Sequence, residues 1–474
     1  MIIYNDTTPT TQFPECQFSG EGIDAAQNEE TGDNDMPESC MQDLQEGRPP
    51  NDTHSLRLTT YSEMYASDQF LREGGIRDLS AFQLAGTAPF PDYNIPEEHE
   101  CAHQCMDVDW QKLLRKKNTT IDDLRCMLQT AIRLEFSTLP PYLTAFFSIR
   151  EGCNVEVQDL ICSVVMQEML HMAQAANLLI ALGGRPIINS RCFAPVYPGP
   201  LPGGVMPKLT VQLERASREY VQRFFMPIEF PTLTLLTLNR TRHANNTIGD
   251  FYSAIKMILN QLYEQHGQAI FCENCTQVEW EDAPNATGGG VLYTVNNITS
   301  AHAALNEIVT QGEGVGPFDP TDGLGDELAH YYKFEEIVCG KRLVRNTTAP
   351  GHYSFSGAPL PFDTSGVYPM MDDPCTGKLP LNTNASHYSR VFNEVYVQLL
   401  NRLHQTFNGD PDGFQDTVSI MWSLKIHAKL LMRTYVNGRF TAGPAWEYIS
   451  TANTSECAML PTTTPPGQCN YTIN

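Results

Sequence analysis

Residues 160–182 read LICSVVMQEMLHMAQAANLLIAL, a run in which the apolar side chains recur at helical spacing. Glu168 and His171 fall among those apolar residues on the same face. Because residues three positions apart share a helix face, this carboxylate and imidazole can point together at one ion. Burying an ionised carboxylate costs on the order of several kcal/mol unless it is paired or coordinated. The pattern predicts a buried metal-binding helix, with a hydrogen-bonded Glu–His pair as the alternative.

A second Glu-x-x-His tetrad, Glu327-Leu-Ala-His330, lies in residues 326–339, where an apolar stripe again predicts a helix. A third tetrad, which ends at His103, lies in a polar run with proline and cysteine and no amphipathic pattern. With twelve histidines in the chain, about one such spacing is expected by chance. We therefore interpret the third tetrad as accidental and the second as part of the metal site.

A single carboxylate upstream faces the same interior. The helix predicted for residues 120–149 begins with a capping box, Thr120-Ile-Asp-Asp123. Its inward stripe contains Glu135 and, two turns later, Tyr142. This placement predicts Glu135 as a further metal ligand. The alternative is that Glu135 neutralises a buried arginine.

One more carboxylate is needed to complete a dinuclear site. Glu313 lies between glycines in Gln311-Gly-Glu-Gly314, so it can swing toward a metal. Glu264 is the weaker candidate because it lies opposite the apolar stripe of the helix that Thr247 opens. The predicted metal ligands are therefore Glu135, Glu168, His171, Glu313, Glu327 and His330. Mixed carboxylate and imidazole donors favour iron or manganese, here as a di-iron or manganese cofactor.

Several motifs resemble a ferritin-like domain family named for iminophenyl-pyruvate dimer synthase, found in bacterial bisindole biosynthesis. They include Ala131-Ile-Arg-Leu-Glu-Phe-Ser-Thr-Leu-Pro-Pro-Tyr-Leu143, Gly199-Pro-Leu-Pro-Gly-Gly204, His330-Tyr-Tyr-Lys-Phe-Glu335 and Ala442-Gly-Pro-Ala-Trp-Glu-Tyr448. The resemblance spans about residues 110–450. It implies a ferritin-like bundle in which Glu135, Glu168, His171 and His330 are metal positions. Its best-studied members couple two imines derived from an aromatic amino acid in an oxidative step.

Sequons and cysteines indicate an exported protein. Asn-x-Ser/Thr occurs at twelve positions, about three times the frequency that composition predicts. Fourteen cysteines, an even number, favour disulfides. A zinc site built from the pairs Cys101/Cys105 and Cys272/Cys275 is the alternative, but the repeated knuckle spacing is missing. We expect a secreted protein with N-linked glycans, and for this reason we do not carry over the bacterial substrate.

Composition and patterning together predict one all-α domain with long loops. Residues 1–107 are expected to form an acidic, cysteine-containing arm, residues 108–450 the ferritin-like helical domain, and residues 451–474 a tail. Further helices are predicted at residues 207–226, 386–407 and 412–436. The formal charge of −24 argues against nucleic acid as a partner. No apolar run is long enough to span a membrane, and none near Met1 resembles a signal peptide.

The function that these features suggest is dioxygen-dependent oxidation of a small organic substrate. Tyr142 and Tyr331, with Tyr332 beside them, are predicted to line the pocket as catalytic side chains. The competing hypothesis is a secreted structural or binding protein, assembled with other copies of itself, that kept the bundle without the chemistry. Iron storage is a third, weaker possibility because long glycosylated loops would obstruct a packed shell.

Overall fold

A computed structural model describes residues 103–231, 246–279, 290–315, 319–323 and 327–449. Most of the predicted acidic arm, the tail and the start of the third tetrad lie outside the described residues. The same is true of seven sequons, those at Asn5, Asn51, Asn239, Asn245, Asn285, Asn453 and Asn470.

The described chain is mostly helical. In chain order its helices are α1 (His103–Met106), α2 (Trp110–Leu114), α3 (Ile121–Ser148), α4 (Val155–Ala181), α5 (Arg218–Tyr220), α6 (Met226–Ile228), α7 (Ile248–His266), α8 (Ile298–Glu313), α9 (His330–Cys339), α10 (Asn384–Phe407) and α11 (Phe414–Arg433). A π-helical turn, Val221–Phe225, joins α5 to α6. Two short strands, β1 (Val344–Arg345) and β2 (Tyr353–Ser354), pair antiparallel. Short 3-10 turns occur at Pro202–Gly204, Gly267–Ile270, Pro350–His352, Thr364–Gly366, Thr376–Lys378 and Pro411–Gly413.

Four helices form a closed ring around the core. α3 packs along α4, α4 packs on α8, α8 on α7, and α7 returns to α3. α9 contacts α4, α8 and the π-helical turn, so it closes one side of this bundle. Burial explains the arrangement, since most of α3 and α4 is apolar and inaccessible to water. The prediction of an all-α helical bundle is confirmed.

Capping boxes fix where two bundle helices begin. The Thr120 hydroxyl accepts a hydrogen bond from the Asp123 backbone N–H, and the Asp123 carboxylate accepts one from the Thr120 N–H. Thr247 and Asp250 make the same reciprocal pair at the start of α7. Each box satisfies two backbone donors that a helix start leaves without partners. Both predicted helix starts are confirmed.

The two C-terminal helices support the bundle from outside. α10 and α11 pack against each other, and α11 also contacts α3. Lys429 of α11 donates to the Ile149 carbonyl, which follows the end of α3. Trp446 donates its indole N–H to the Thr144 hydroxyl of α3. These contacts tie the C-terminal residues to α3, the helix that carries Glu135.

Two predicted helices differ from the structure. Residues 207–217 are irregular rather than helical, because Val211 bridges to Gly199 and the Leu213 N–H donates to Asp373, which holds the chain extended. The helix predicted for residues 326–339 begins only at His330, since Leu328 bridges to Thr321 and the Ala329 N–H donates to Pro320.

Within the described ranges, every helix is too short or too polar to cross a bilayer.

Candidate metal centre

Three side chains meet at the middle of the bundle. Glu168 and His171 lie on α4, and His330 is the first residue of α9. Their donor atoms lie within 4.8 Å of one another, and all three side chains are buried. The carboxylate oxygen Oε1 of Glu168 is 2.9 Å from His330 Nδ1 and 3.6 Å from His171 Nδ1. This trio could hold a metal ion, with Glu168 shared by the two imidazoles.

Two further carboxylates flank the trio, one on each side. Glu135 of α3 lies 3.7 Å from His171 Nδ1, and Glu229, which follows α6, lies 3.5 Å from His330 Nδ1. Both are buried. Glu229 was missed in the sequence because it does not lie on a long amphipathic helix. One signal could have identified it: Glu229 is the single charged residue in the apolar run FFMPIEF, residues 224–230.

Hydroxyl groups orient the three carboxylates. Thr138 donates to Glu168 Oε2 at 2.7 Å, and Tyr142 donates to Glu229 Oε1 at 2.5 Å. Tyr252 of α7 donates to Glu135. Burial raises the pKa of both tyrosines well above the usual range, so each hydroxyl keeps its proton at neutral pH.

Amide side chains hold the far edges of both imidazoles. Gln311 Oε1 of α8 lies 2.8 Å from His171 Nε2, and Gln167 Oε1 of α4 lies 3.0 Å from His330 Nε2. Both amides are buried. The Nδ1 atoms are thereby left on the side of the carboxylates. Sequence reasoning did not identify either glutamine, because an isolated glutamine on a helix has no spacing signal.

The charges of the cluster are unequally distributed. Burial disfavours the ionised form of Glu168, but the contacts with His171 and His330 outweigh burial and hold its pKa well below the usual range. Burial, together with the charge on Glu168, raises the pKa of both Glu135 and Glu229. For His171, burial opposes protonation, yet Glu135 and Glu168 raise its pKa to about 10. Negative charge is therefore concentrated on Glu168.

The geometry of His330 fits a metal ion better than a hydrogen bond. Among the described residues, no group forms a hydrogen bond with the buried Nδ1 atom of His330, although Glu168 Oε1 is 2.9 Å away. An imidazole nitrogen and a carboxylate oxygen at this separation could both bind one metal ion. Imidazole nitrogen with carboxylate oxygen is a donor set typical of iron, manganese and zinc.

Two predicted ligands, Glu327 and Glu313, lie elsewhere, and so does the weaker candidate Glu264. Glu327 precedes α9 rather than sharing a helical turn with His330, and its carboxylate lies 3.4 Å from the Lys333 ammonium. Glu313 accepts a hydrogen bond from the Gly249 N–H at the start of α7. Glu264 is exposed on α7. The structure brings together Glu135, Glu168, His171 and His330, and supplies Glu229 where Glu313 or Glu327 was expected.

The two tyrosines predicted to line the pocket are placed differently. Tyr142 touches the cluster through Glu229. Tyr331 packs its ring edge-on against Phe230 and Tyr332 instead. Burial, followed by the nearby Glu335, raises the pKa of Tyr331. Tyr142 is thus the tyrosine of this predicted pair with a direct contact to a candidate ligand.

Disulfide bonds lie outside the centre. Cys105 is bonded to Cys126, which ties α1 to α3, and Cys272 is bonded to Cys275 after α7. These bonds occupy three of the four cysteines of the alternative zinc site, and the fourth, Cys101, lies outside the described residues.

Part of the chain is similar to known proteins. Residues 128–339 match the model of a family described as ferritin-like. A solved structure of a ferritin-like protein from Caulobacter vibrioides is 21% identical, with a TM-score of 0.48, over 70% of this chain and 99% of that one. No curated protein matches the chain. The matched family segment runs from within α3 to the end of α9 and contains all five residues of the candidate centre, so residues 128–339 form a ferritin-like domain.

Proposed function

We propose that this chain is an exported, N-glycosylated oxidase whose ferritin-like domain holds two iron or manganese ions. Its substrate is a small organic molecule, and dioxygen is the oxidant. The domain would be of the iminophenyl-pyruvate dimer synthase type. The observation that carries the proposal is the buried set of three carboxylates and two imidazoles, with Glu168 between the two histidines.

The five residues divide naturally between two ions. Glu135 and His171 form what we call the His171 side, and Glu229 and His330 form the His330 side; Glu168 is common to both. A pair of redox-active ions there would supply the electron-transfer steps that dioxygen reduction requires. This donor set has one carboxylate fewer than the four-glutamate, two-histidine pattern of di-iron bundles. Ligand positions would therefore remain for water or substrate.

The surrounding side chains have definable tasks. Tyr142 holds a proton on its hydroxyl next to Glu229, and Tyr252 does the same next to Glu135. Thr138 fixes the orientation of Glu168. The aromatic rings of Phe225 and Phe334 pack against Tyr142 and exclude water from its side of the cluster.

Metal content and dioxygen consumption test the proposal. We expect the natively purified chain to contain about two irons or manganeses by elemental mass spectrometry. Glu168→Ala should empty the site because it removes the shared ligand. A Glu168→Ala variant that still holds two metals would remove Glu168 from the ligand set. Glu264→Ala, which changes an exposed carboxylate of α7, is the matched control.

The alternative of a structural or binding protein also has an observation in its favour. With His171 protonated beside Glu135 and Glu168, the buried charges compensate one another without an ion. A native chain without metal, which consumes no dioxygen, would favour this alternative. It would then assemble with other copies of itself or bind a partner through its surface.

A further inference from the structure

The far sides of the two imidazoles carry opposite charges. Behind His171, the Gln311 amide N–H donates to Glu307 Oε1 at 3.1 Å. Behind His330, the Lys333 ammonium donates to Gln167 Oε1 at 2.9 Å, and on its other side it lies 3.4 Å from the more exposed Glu327 carboxylate. Glu307, Lys333 and both glutamines are buried. The two sides of the candidate centre therefore differ in the charge that lies behind the amide.

Lys333 fixes the protonation pattern of His330. An ammonium group can only donate, so the atom of Gln167 that it contacts must be the carbonyl oxygen. The same oxygen lies 3.0 Å from His330 Nε2. Nε2 must therefore carry a proton, so Nδ1 is the nitrogen available to a metal ion on the side of the carboxylates.

Glu307 fixes the protonation pattern of His171, here as a hydrogen-bond acceptor rather than as a donor. Its Oε1 accepts from the Val291 backbone N–H at 3.0 Å, and a backbone N–H is always a donor. The Gln311 group facing that oxygen must then be its NH₂, which turns its carbonyl oxygen toward His171 Nε2. His171 Nε2 is therefore also protonated, and its Nδ1 also faces the carboxylates.

The two relays have opposite electronic effects. The negative charge of Glu307 polarises the Gln311 amide and strengthens the hydrogen bond that the amide oxygen accepts from His171 Nε2. This makes His171 Nδ1 a stronger metal ligand. Lys333 and His330 both donate to Gln167 Oε1, and the ammonium weakens the hydrogen bond that this oxygen accepts from His330. This makes His330 Nδ1 a weaker metal ligand. Outer partners of this kind typically change metal affinity about 10- to 100-fold.

From this arrangement we propose that Glu307 and Lys333 are positioning residues that make the centre unequal, so the His171 side binds a divalent ion more tightly than the His330 side. The inference rests on the proposed dinuclear centre and adds an order of loading to it. The first ion enters beside Glu135 and His171, and the second beside Glu229 and His330.

Cobalt(II) titration of the metal-free full chain tests the proposal. We expect two binding steps whose dissociation constants differ by about tenfold or more. The cobalt-loaded chain should also show two hyperfine-shifted proton resonances that exchange with solvent, one from each Nε2–H. Equal binding steps, or the absence of both exchangeable resonances from a chain that binds two cobalt ions, would overturn the inference. A chain that binds no cobalt would instead contradict the metal centre itself.

Two charge-removing variants assign the steps. Glu307→Gln should weaken the first step by about tenfold, and Lys333→Met should tighten the second step severalfold. Glu151→Gln and Lys429→Met each remove one charge of a buried ion pair outside the relays and should leave both steps unchanged. Weakening of the second step alone by Glu307→Gln would reverse the assignment and refute the proposal. If a variant fails to fold, the wild-type titration and its proton resonances still decide the matter.

Discussion

At the scale of single residues, Glu168 organises the centre because its carboxylate touches both imidazoles and a threonine hydroxyl. The flanking carboxylates each touch one imidazole and one tyrosine. Loss of Glu168 should therefore affect both ions, whereas loss of a flanking carboxylate should affect one.

Glu229→Gln tests that division. The change keeps the volume of the side chain and its acceptor for Tyr142 but removes one anionic ligand. We expect metal content to fall from about two ions to about one per chain, because the His171 side keeps all its ligands. Elemental mass spectrometry of the purified variant provides the measurement.

Glu313→Gln is the matched control, because Glu313 was a predicted ligand but in the structure it ends α8 and accepts a hydrogen bond from the Gly249 N–H at the start of α7. A glutamine can still accept the Gly249 N–H, so metal content should not change. The reverse result, with metal lost in Glu313→Gln and kept in Glu229→Gln, would restore the ligand set inferred from sequence.

Protonation of the cluster predicts how the stability of the metal-free chain depends on pH. The pKa of Glu135 rises from 4.5 to about 7, and that of His171 from 6.5 to about 10. Both groups therefore hold more protons when folded, and their stabilising contribution is lost as pH rises toward those values. We expect the melting temperature to fall by on the order of a few degrees between about pH 6 and pH 9.

Calorimetry with and without manganese checks this trend. Metal binding replaces protons with a divalent ion, so the loaded chain should show a smaller fall or a rise over the same range. Burial alone raises the pKa of Glu335 to about 7, so the comparison is best made in a Glu335→Gln background. A melting temperature of the metal-free chain that increases toward pH 9 would contradict the assigned protonation.

At the scale of helices and loops, sequence patterns predicted the helices whose bounds depend on neighbouring residues in the chain. Capping residues and apolar stripes predicted α3 and the two C-terminal helices to within three residues at each end, and the start of α7, whereas α4 begins five residues before the predicted run 160–182. The roles of Glu229, Gln167 and Gln311 at the centre could not be predicted from sequence, because they depend on which helices become neighbours. The start of α9 was misplaced because backbone contacts to Pro320 and Thr321 hold residues 328–329 extended, and such distant contacts leave no periodic pattern.

The capping box of α7 offers a test at this scale, since α7 carries Tyr252, which binds Glu135. Asp250→Ala removes the acceptor for the Thr247 N–H and leaves the sequon Asn245-Asn-Thr247 intact. We expect the free energy of unfolding to fall by about 1 kcal/mol. Denaturant unfolding of the metal-free chain measures it; an unchanged midpoint and slope would show that the box contributes little. The exposed Glu264→Ala serves as the control on the same helix.

At the scale of the whole molecule, sequons coincide with helix starts. Thr120, Thr247 and Asn297 are N-caps of α3, α7 and α8, and each belongs to an Asn-x-Ser/Thr triplet. Part of the excess of sequons therefore has a structural explanation, because Asn, Ser and Thr are the residues that cap helices. Glycosylation must consequently be judged sequon by sequon, from the position of each asparagine side chain.

The described sequons fall into two groups that differ in what a glycan would displace. Asn118, Asn274 and Asn384 are exposed, whereas Asn297 and Asn346 are partly buried. Asn297 donates its Nδ2 to Asn296 Oδ1, and Asn346 donates its Nδ2 to the Ser354 hydroxyl. A glycan attaches through that same nitrogen, so modification of Asn346 would disturb the turn between β1 and β2. If the chain is exported as proposed, we expect mass spectrometric peptide mapping after enzymatic deglycosylation to find high occupancy at the three exposed asparagines and low occupancy at Asn346. Unmodified Asn118, Asn274 and Asn384 in protein purified from its natural source would contradict the proposed export, while full occupancy of Asn346 would show that its contact with Ser354 does not limit modification.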